Sequence, residues 1–313
     1  MIKVIKPGIQ LTIQDLGRVG FRHLGVSRSG SLDAYAHIIA NRLVNNHDND
    51  AVLELTVGLC ELQFECDTVI ALHGADLNAK LDAQAVYPGW SYPVKAKQTL
   101  KFDTGRGGSR AYIAVKGGIE CPEVMGSKST DLGAAIGGFN GRALQSDDII
   151  KITPYTQPWL CNKGALTPPK RKVIRLYQGP HHELLTPECI NAYCTTSFTI
   201  NPNSNRMGVR LDHNNSQIMQ HSLSLHSLAV APGSVQLPPD GNPIVLLNDA
   251  QTTGGYPLIG HVIEADLHQF AQFRTADSIT FEFVTLEQAT AAKSKLDAHL
   301  SQLKLSLNRY WAN

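Results

Sequence analysis

The run Ser234-Val235-Gln236-Leu237-Pro238-Pro239-Asp240-Gly241-Asn242-Pro243 leads into Ile244-Val245-Leu246-Leu247-Asn248 and then Asp249-Ala250-Gln251-Thr252-Thr253-Gly254-Gly255-Tyr256-Pro257. Four consecutive apolar residues, Ile244 to Leu247, stand between two polar loops rich in glycine and proline. That pattern predicts one buried strand with a tight loop at each end. Loops pinned to a buried strand are where binding groups are usually displayed, and these two carry amides, carboxylates and a tyrosine. The plainer reading is two turns that serve only the core strand.

Working outward, the same theme repeats. Ile2–Ile5, Gln10–Ile13, Ala51–Val57, Leu59–Glu65, Thr68–Leu72, Thr99–Phe102 and Arg110–Val115 read as short strands, with a hairpin through Asp82-Ala83. Turn signals recur at the spacing of a β-sandwich or barrel. Ile149–Ile152, Val173–Tyr177, Arg206–Leu211 and Ile279–Val284 continue it. Leu32, Tyr35, Ala36, Ile39, Ala40 and Leu43 recur at helical spacing, which predicts a helix over 32–44 with Ser31 as N-cap and Asp33 in its first turn. Leu286, Ala289, Leu296, Leu300, Leu303 and Leu307 step by threes and fours, with Lys293 at the missing position, so a C-terminal amphipathic helix is predicted. The proline-rich stretch between 154 and 169 separates a β domain over 1–155 from a second over 170–285, and the helix occupies 286–313.

With 313 residues, 42% hydrophobic content and a net charge of +1, the composition is that of an ordinary globular chain. Dispersed and balanced charges give no polyanion-binding surface, so nucleic acid is not an expected partner. No apolar run approaches the roughly 18 residues a membrane span needs, and no signal-peptide pattern is present, so a cytoplasmic location is expected. Six cysteines without a CxxC pair, and histidines without HExxH spacing, suggest reduced thiols and no metal site.

Ten of the 26 glycines fall between 104 and 142, a density that suggests backbone lying close to a ligand or another chain. Gly126-Ser127-Lys128-Ser129-Thr130 resembles the tail of a phosphate loop, but its lysine does not directly follow the glycine. Arg206 and Arg210 are four apart, so in one strand they would share a face and make a carboxylate clamp, or simply be two surface arginines. Gln14-Asp15-Leu16-Gly17 before Phe21 echoes Gln251-Thr252-Thr253-Gly254 before Tyr256, in keeping with a duplication of one small β domain.

Six motifs in one order carry a family resemblance. They are Ile13-Gln14-Asp15-Leu16-Gly17-Arg18, Ser29-Gly30-Ser31-Leu32-Asp33, Gly126-Ser127-Lys128-Ser129-Thr130-Asp131, Gly137-Gly138-Phe139-Asn140-Gly141-Arg142, Arg206-Met207-Gly208-Val209-Arg210-Leu211 and the 234–257 stretch. Together they resemble the biotin-dependent carboxyltransferase family, from about residue 3 to residue 290. Ser27 and Leu32 depart from it, where proline and methionine are usual, and Arg274–Asp277 replaces a Pro-Gly turn.

The resemblance implies a mainly β fold of two cyclophilin-like β-barrel domains with a few short helices. A chain with no Met-Lys dipeptide has no attachment point for biotin. A free-standing chain of about this length resembles the component of a multi-subunit 5-oxoprolinase, which implies two other subunits, use of ATP (as Mg-ATP, held here or on a partner) and opening of 5-oxo-L-proline to L-glutamate. Under that reading Asp15, Asp240, Gln251, Thr252 and Thr253 are the catalytic candidates. Arg206, Arg210, Gln236, Ser29, Asp33 and Tyr256 would contact substrate. Ser127, Ser129, Gly254 and Gly255 would serve phosphate or let backbone approach. Asp15 could instead pair with Arg18 to brace a turn, and the serines and Asp33 could be caps. Two other readings stay open: a carboxyltransferase component of a biotin-dependent urea carboxylase or allophanate system, and a non-catalytic binder of a kinase-inhibitor-like protein.

Overall fold

A computed structural model describes all residues except 106, 167–170, 216, 217, 219–224, 312 and 313, so Pro168, Pro169 and Lys170 of the expected linker lie outside the described residues. The chain forms two compact units. The first comprises Met1–Val19, Ser29–Pro169 and His299–Asn313; the second comprises Gly20–Arg28 and Lys170–Ala298. A short segment from near the N-terminus therefore belongs with the second unit, which a contiguous division of the sequence does not foresee.

In the first unit, a seven-stranded sheet has Ile2–Pro7 and Cys60–Phe64 near its middle, and a five-stranded sheet has Gly107–Val115 between Val52–Thr56 and Thr68–Asp76. Strands such as Cys60–Phe64 alternate buried and half-buried residues. Their inward side chains, with Ile2, Val4, Leu53, Leu55, Leu62, Phe64, Leu72 and Ile113, form one core. Thr68–Asp76 and Gly107–Val115 are instead buried nearly throughout. The reason is helix α1 (Ala34–Leu43), which packs on both and buries Tyr35, Ala36, His37, Ile39, Ala40 and Leu43.

The N-cap of α1 is Asp33, whose carboxylate accepts the Ala36 N–H at 2.8 Å, so the expected assignment to Ser31 is corrected by two residues. The Ser31 hydroxyl instead bonds His37 Nδ1 at 2.8 Å, and His37 Nε2 lies 3.1 Å from Asn41 Nδ2. This Ser–His–Asn chain is buried throughout, so it orders the helix and presents no nucleophile to solvent.

The second unit is a closed barrel in which Val173–Gln178, Leu258–Val262, Ser234–Gln236, Ile244–Leu246, Gly208–Asp212, Phe198–Ile200 and Ser278–Phe283 follow one another around the ring. Seven strands cannot all alternate in direction and still close, so one junction must be parallel. It is the pairing of Val173–Gln178 with Ser278–Phe283. Inside lie Ile174, Leu176, Phe198, Leu211, Val235, Val245 and Phe281, each 1% exposed or less. Helix α2 (Pro187–Thr195) packs on Ser278–Phe283. The β-rich reading missed it, although Thr186 as N-cap followed by Pro187 is a helix-start signal.

The expected helical turn after Ile263 is α3 (Glu264–Leu267), continued by a 3₁₀ segment. Asp266 there accepts two guanidinium bonds from Arg175, at 2.6 and 2.8 Å, and the Arg175 N–H at 3.0 Å. The long C-terminal helix, α4 (Leu286–Trp311), rests Ala289, Ala292 and Leu296 on Ile263, Ala265 and Val284. Leu286, expected on the same stripe, is exposed.

Two fully buried histidines make the fold acid-sensitive. Burial pushes His37 and His73 down from 6.5 to about 4, so both are neutral in the fold. The stability they contribute is complete above the unfolded value near 6.5 and is lost as pH falls toward the folded value. Urea unfolding followed between about pH 7 and pH 4.5 should show a steadily falling midpoint; a constant midpoint across that range would contradict this burial.

Candidate functional site

Residues opposite one another on antiparallel strands point to the same face. Around the barrel, Arg210 stands opposite Ile244, Ile244 opposite Gln236, and Gln236 opposite Leu258. The neighbouring row, Val209, Val245 and Val235, points inward, so Arg210, Ile244, Gln236 and Leu258 form an outward row across four strands. Strand spacing places Arg210 and Gln236 about 10 Å apart along it.

Over the Arg210 end lies a cleft of about 680 Å³ whose lining includes Arg210, Asp212, Asp240, Asn242, Ile244 and Tyr256. Three of the residues singled out in the sequence thus come together: Arg210, Asp240 and Tyr256. The Pro238–Asn242 turn positions Asp240, whose two oxygens accept the Asn242 N–H at 3.1 Å and Asn242 Nδ2 at 3.2 Å. Asp212 is held by Asn201 Nδ2 at 2.7 Å. Arg210 is tied through its backbone, its N–H donating to Ser204 Oγ at 3.1 Å and its carbonyl accepting the Asn201 N–H at 2.9 Å. Arg210 is exposed and lines the cleft.

Arg206 does not join it. The strand begins at Gly208, so the two-residue alternation that would align Arg206 with Arg210 does not extend back to it. Arg206 is 5% exposed and makes a two-pronged pair with Asp249, at 2.7 and 2.9 Å. The expected arginine clamp is therefore corrected to one buried structural arginine and one exposed one.

Thr253–Gly254 pairs with Leu228–Ala229 in a two-stranded ribbon, extended by the Val230 N–H bond to the Thr252 carbonyl at 3.0 Å. At its end stands Arg22, a residue the sequence did not single out. Its Nη2 donates to the Val230 carbonyl at 2.6 Å and to the Gln251 carbonyl at 3.0 Å. Gln251 thus contributes its backbone here, while its side chain is exposed. Gln236 is 2% exposed, and a Cβ on Gly254 would overlap its Nε2, so glycine is what lets the carboxamide lie against the ribbon. Among the described residues, Gln236 Nε2 and Arg22 Nη1 are both buried donors with no hydrogen-bond partner. Burial and the neighbouring Arg28 cation push Arg22 below its ordinary value.

The remaining candidates lie in the first unit, where they hold the fold together. Asp15 is buried, which alone would raise its carboxyl. Its bonds from the Ser129 and Ser127 hydroxyls, the Lys128 N–H (2.6 Å) and the Gly17 N–H (2.8 Å) outweigh this and hold it below the usual range. A carboxylate so saturated is an acceptor hub, which corrects its expected acid–base role. Ser127 and Ser129, expected at phosphate, have their hydroxyl hydrogens directed into Asp15 and are fully buried. Arg18 does not pair with Asp15; it donates to the carbonyls of Val124 at 2.9 Å and Ser129 at 2.8 Å. The glycine-dense stretch closes on itself, because side chains at Gly137, Gly138 and Gly141 would overlap Ser129, Thr130 and Ala135. Asp33 caps α1, and Ser29 is fully buried with φ +53°.

Comparison with known proteins places this architecture. Residues 24–283 match the family described as carboxyltransferase domain, subdomain A and B. The chain belongs to that family. It is 41% identical over 310 residues to the C component of the Escherichia coli 5-oxoprolinase, covering 98% of this chain and 99% of that protein. It is also 30% identical to the urea amidolyase of Saccharomyces cerevisiae, over 96% of this chain but 18% of that much longer protein. The crystal structure of the K. lactis urea amidolyase superposes with a TM-score of 0.86 at 27% identity, over 96% of this chain and 20% of that one.

Breaking the buried pair should be costly. Asp249→Ala removes both carboxylate oxygens from the buried Arg206 guanidinium, an expected loss of about 3–5 kcal/mol. Chemical denaturation checks it, and a loss below about 1 kcal/mol would show the pair to be dispensable.

Proposed function

We propose that this chain is a subunit of a multi-subunit 5-oxoprolinase that opens 5-oxo-L-proline to L-glutamate at the expense of ATP, acting with two partner subunits. The observation that carries this reading is the end-to-end match to a single 5-oxoprolinase component, 98% of one chain against 99% of the other. The urea amidolyases match nearly as much of this chain, at about 30% rather than 41% identity, but extend far beyond it.

The chemistry asks for specific groups. A lactam is resonance-stabilised, and phosphorylation of its oxygen would make its carbonyl carbon a good electrophile. The substrate also carries a carboxylate, and an exposed guanidinium in a cleft is the natural anchor for one. Arg210 fills that role, with Asp240 and Tyr256 in the same cleft. The serines expected to hold phosphate do not fit it, since both hydroxyls serve Asp15. The ATP site is therefore assigned to a partner subunit, and this chain alone is expected to be inactive.

The test is reconstitution. Mixed with two partner subunits, ATP and 5-oxo-L-proline, the chain should support glutamate formation, and leaving out any one component should abolish it. A requirement for biotin or bicarbonate would overturn the proposal in favour of the carboxyltransferase reading that the urea amidolyase relationship supports. In the assembled enzyme, Arg210→Ala should raise KM at least about tenfold with little change in thermal stability, the signature of a lost substrate-binding contact. An unchanged KM would remove Arg210 from the site.

A further inference from the structure

Two buried donors without a hydrogen-bond partner among the described residues lie near Val230 in the second unit. Among the described residues, Gln236, 2% exposed, reaches no acceptor through Nε2, and the buried Arg22 Nη1 likewise reaches none. An unmet buried donor is costly, more so on a charged group, so two of them near one residue point to an acceptor supplied from outside.

The two converge around Val230. Arg22 Nη2 grips the Val230 carbonyl, while Val230 Cγ1 and Gln236 Nε2 both lie within 4 Å of where a Gly254 Cβ would stand. The second grip of Arg22, on the Gln251 carbonyl, fixes the guanidinium plane and leaves Nη1 as the group still to be met. Arg28 adds positive charge close by. One cationic and one neutral donor therefore favour an oxygen bearing partial or developing negative charge.

We infer that Arg22 and Gln236 form a binding site for the carbonyl oxygen of a small amide, with Gly254 as the residue that keeps Gln236 in place. For the lactam named above, which rests on the proposed 5-oxoprolinase function, this is the ring carbonyl. The Arg210 guanidinium, on the same outward row, is the separate anchor for the carboxylate. An arginine whose chain position falls within the first domain, as read from the sequence, thus becomes a specificity-determining residue of the second unit.

The experiment is ligand binding by calorimetry on the full chain, alone and assembled with its partner subunits. The probes are 5-oxo-L-proline, urea, and L-proline, which has the carboxylate but no ring carbonyl. Three variants are compared. Gln236→Glu keeps the shape and turns a donor into a repelling acceptor. Gly254→Ala displaces the carboxamide. Arg22→Lys keeps the charge but loses the fork that serves Val230, Gln251 and the ligand together. Each should weaken 5-oxo-L-proline at least about tenfold and leave the weaker binding of L-proline unchanged, with thermal midpoints of Gln236→Glu and Arg22→Lys within a few degrees of the parent. Binding of 5-oxo-L-proline within twofold of the parent in all three variants would overturn the site while leaving the 5-oxoprolinase reading standing. Variant-sensitive binding of urea with none of 5-oxo-L-proline would keep the site and overturn that reading. Failure of every amide to bind either form would overturn the site.

Discussion

Barrel closure through one parallel junction, Val173–Gln178 against Ser278–Phe283, is the constraint on which the second unit depends. Once seven strands are closed, inward and outward positions are fixed around the whole ring, because each strand alternates and each register is locked to the next. Val209, Val245 and Val235 fill the interior, and their neighbours Arg210, Ile244 and Gln236 must face out. A slip of one residue in any of these pairings would drive a guanidinium and a carboxamide into an apolar core. The polar row is therefore held by the same contacts that stabilise the barrel.

Charge is treated in two opposite ways. Arg206 with Asp249, both buried, and the half-buried Arg175 with the buried Asp266 are two-pronged pairs that join segments distant in sequence. Such pairs add little net stability over an apolar replacement, but they are strongly disfavoured when half-made, which fixes the order of the loops that carry them. Arg210 and Arg22 differ. One is exposed and lines a cleft, and the other is half satisfied by two carbonyls. The contrast between completed and incomplete arginines separates framework from site more sharply than exposure does.

Much of the strand framework was legible in the sequence because it rests on two-residue alternation and turn residues. Cys60–Phe64, Ile149–Ile152 and Val173–Gln178 fall within a residue or so of their expected limits. The strand within the 234–257 stretch is likewise present, as Ile244–Leu246. The site was legible only in part. Arg210, Asp240 and Tyr256 were named and do meet, since all lie on the barrel's outward face or its loops. Asp15, Ser127 and Ser129 carry the chemistry of a reactive site and are nevertheless braces, because residue type cannot reveal that a carboxylate already receives four hydrogen bonds. Arg22 was missed for the converse reason. Its partners, Val230 and Gln251, are more than 200 positions away and offer only backbone carbonyls, which no side-chain pattern records. The echo between residues 14–17 and 251–254 also misleads, since one loop is a buried hub and the other the rim of a ribbon.

The membership of Gly20–Arg28 in the second unit bears on how the molecule can be assembled and inherited. A barrel produced from residue 170 onward would carry every strand of the ring and still lack the guanidinium that joins Val230 to Gln251. Contacts spanning this much chain are slow to form and come late in folding. The two units are thus stitched by sequence order itself, and a gene split at the proline-rich boundary would yield two pieces of which neither holds a finished donor set. That interleaving gives selection a reason to keep both units on one polypeptide that is independent of any surface they share.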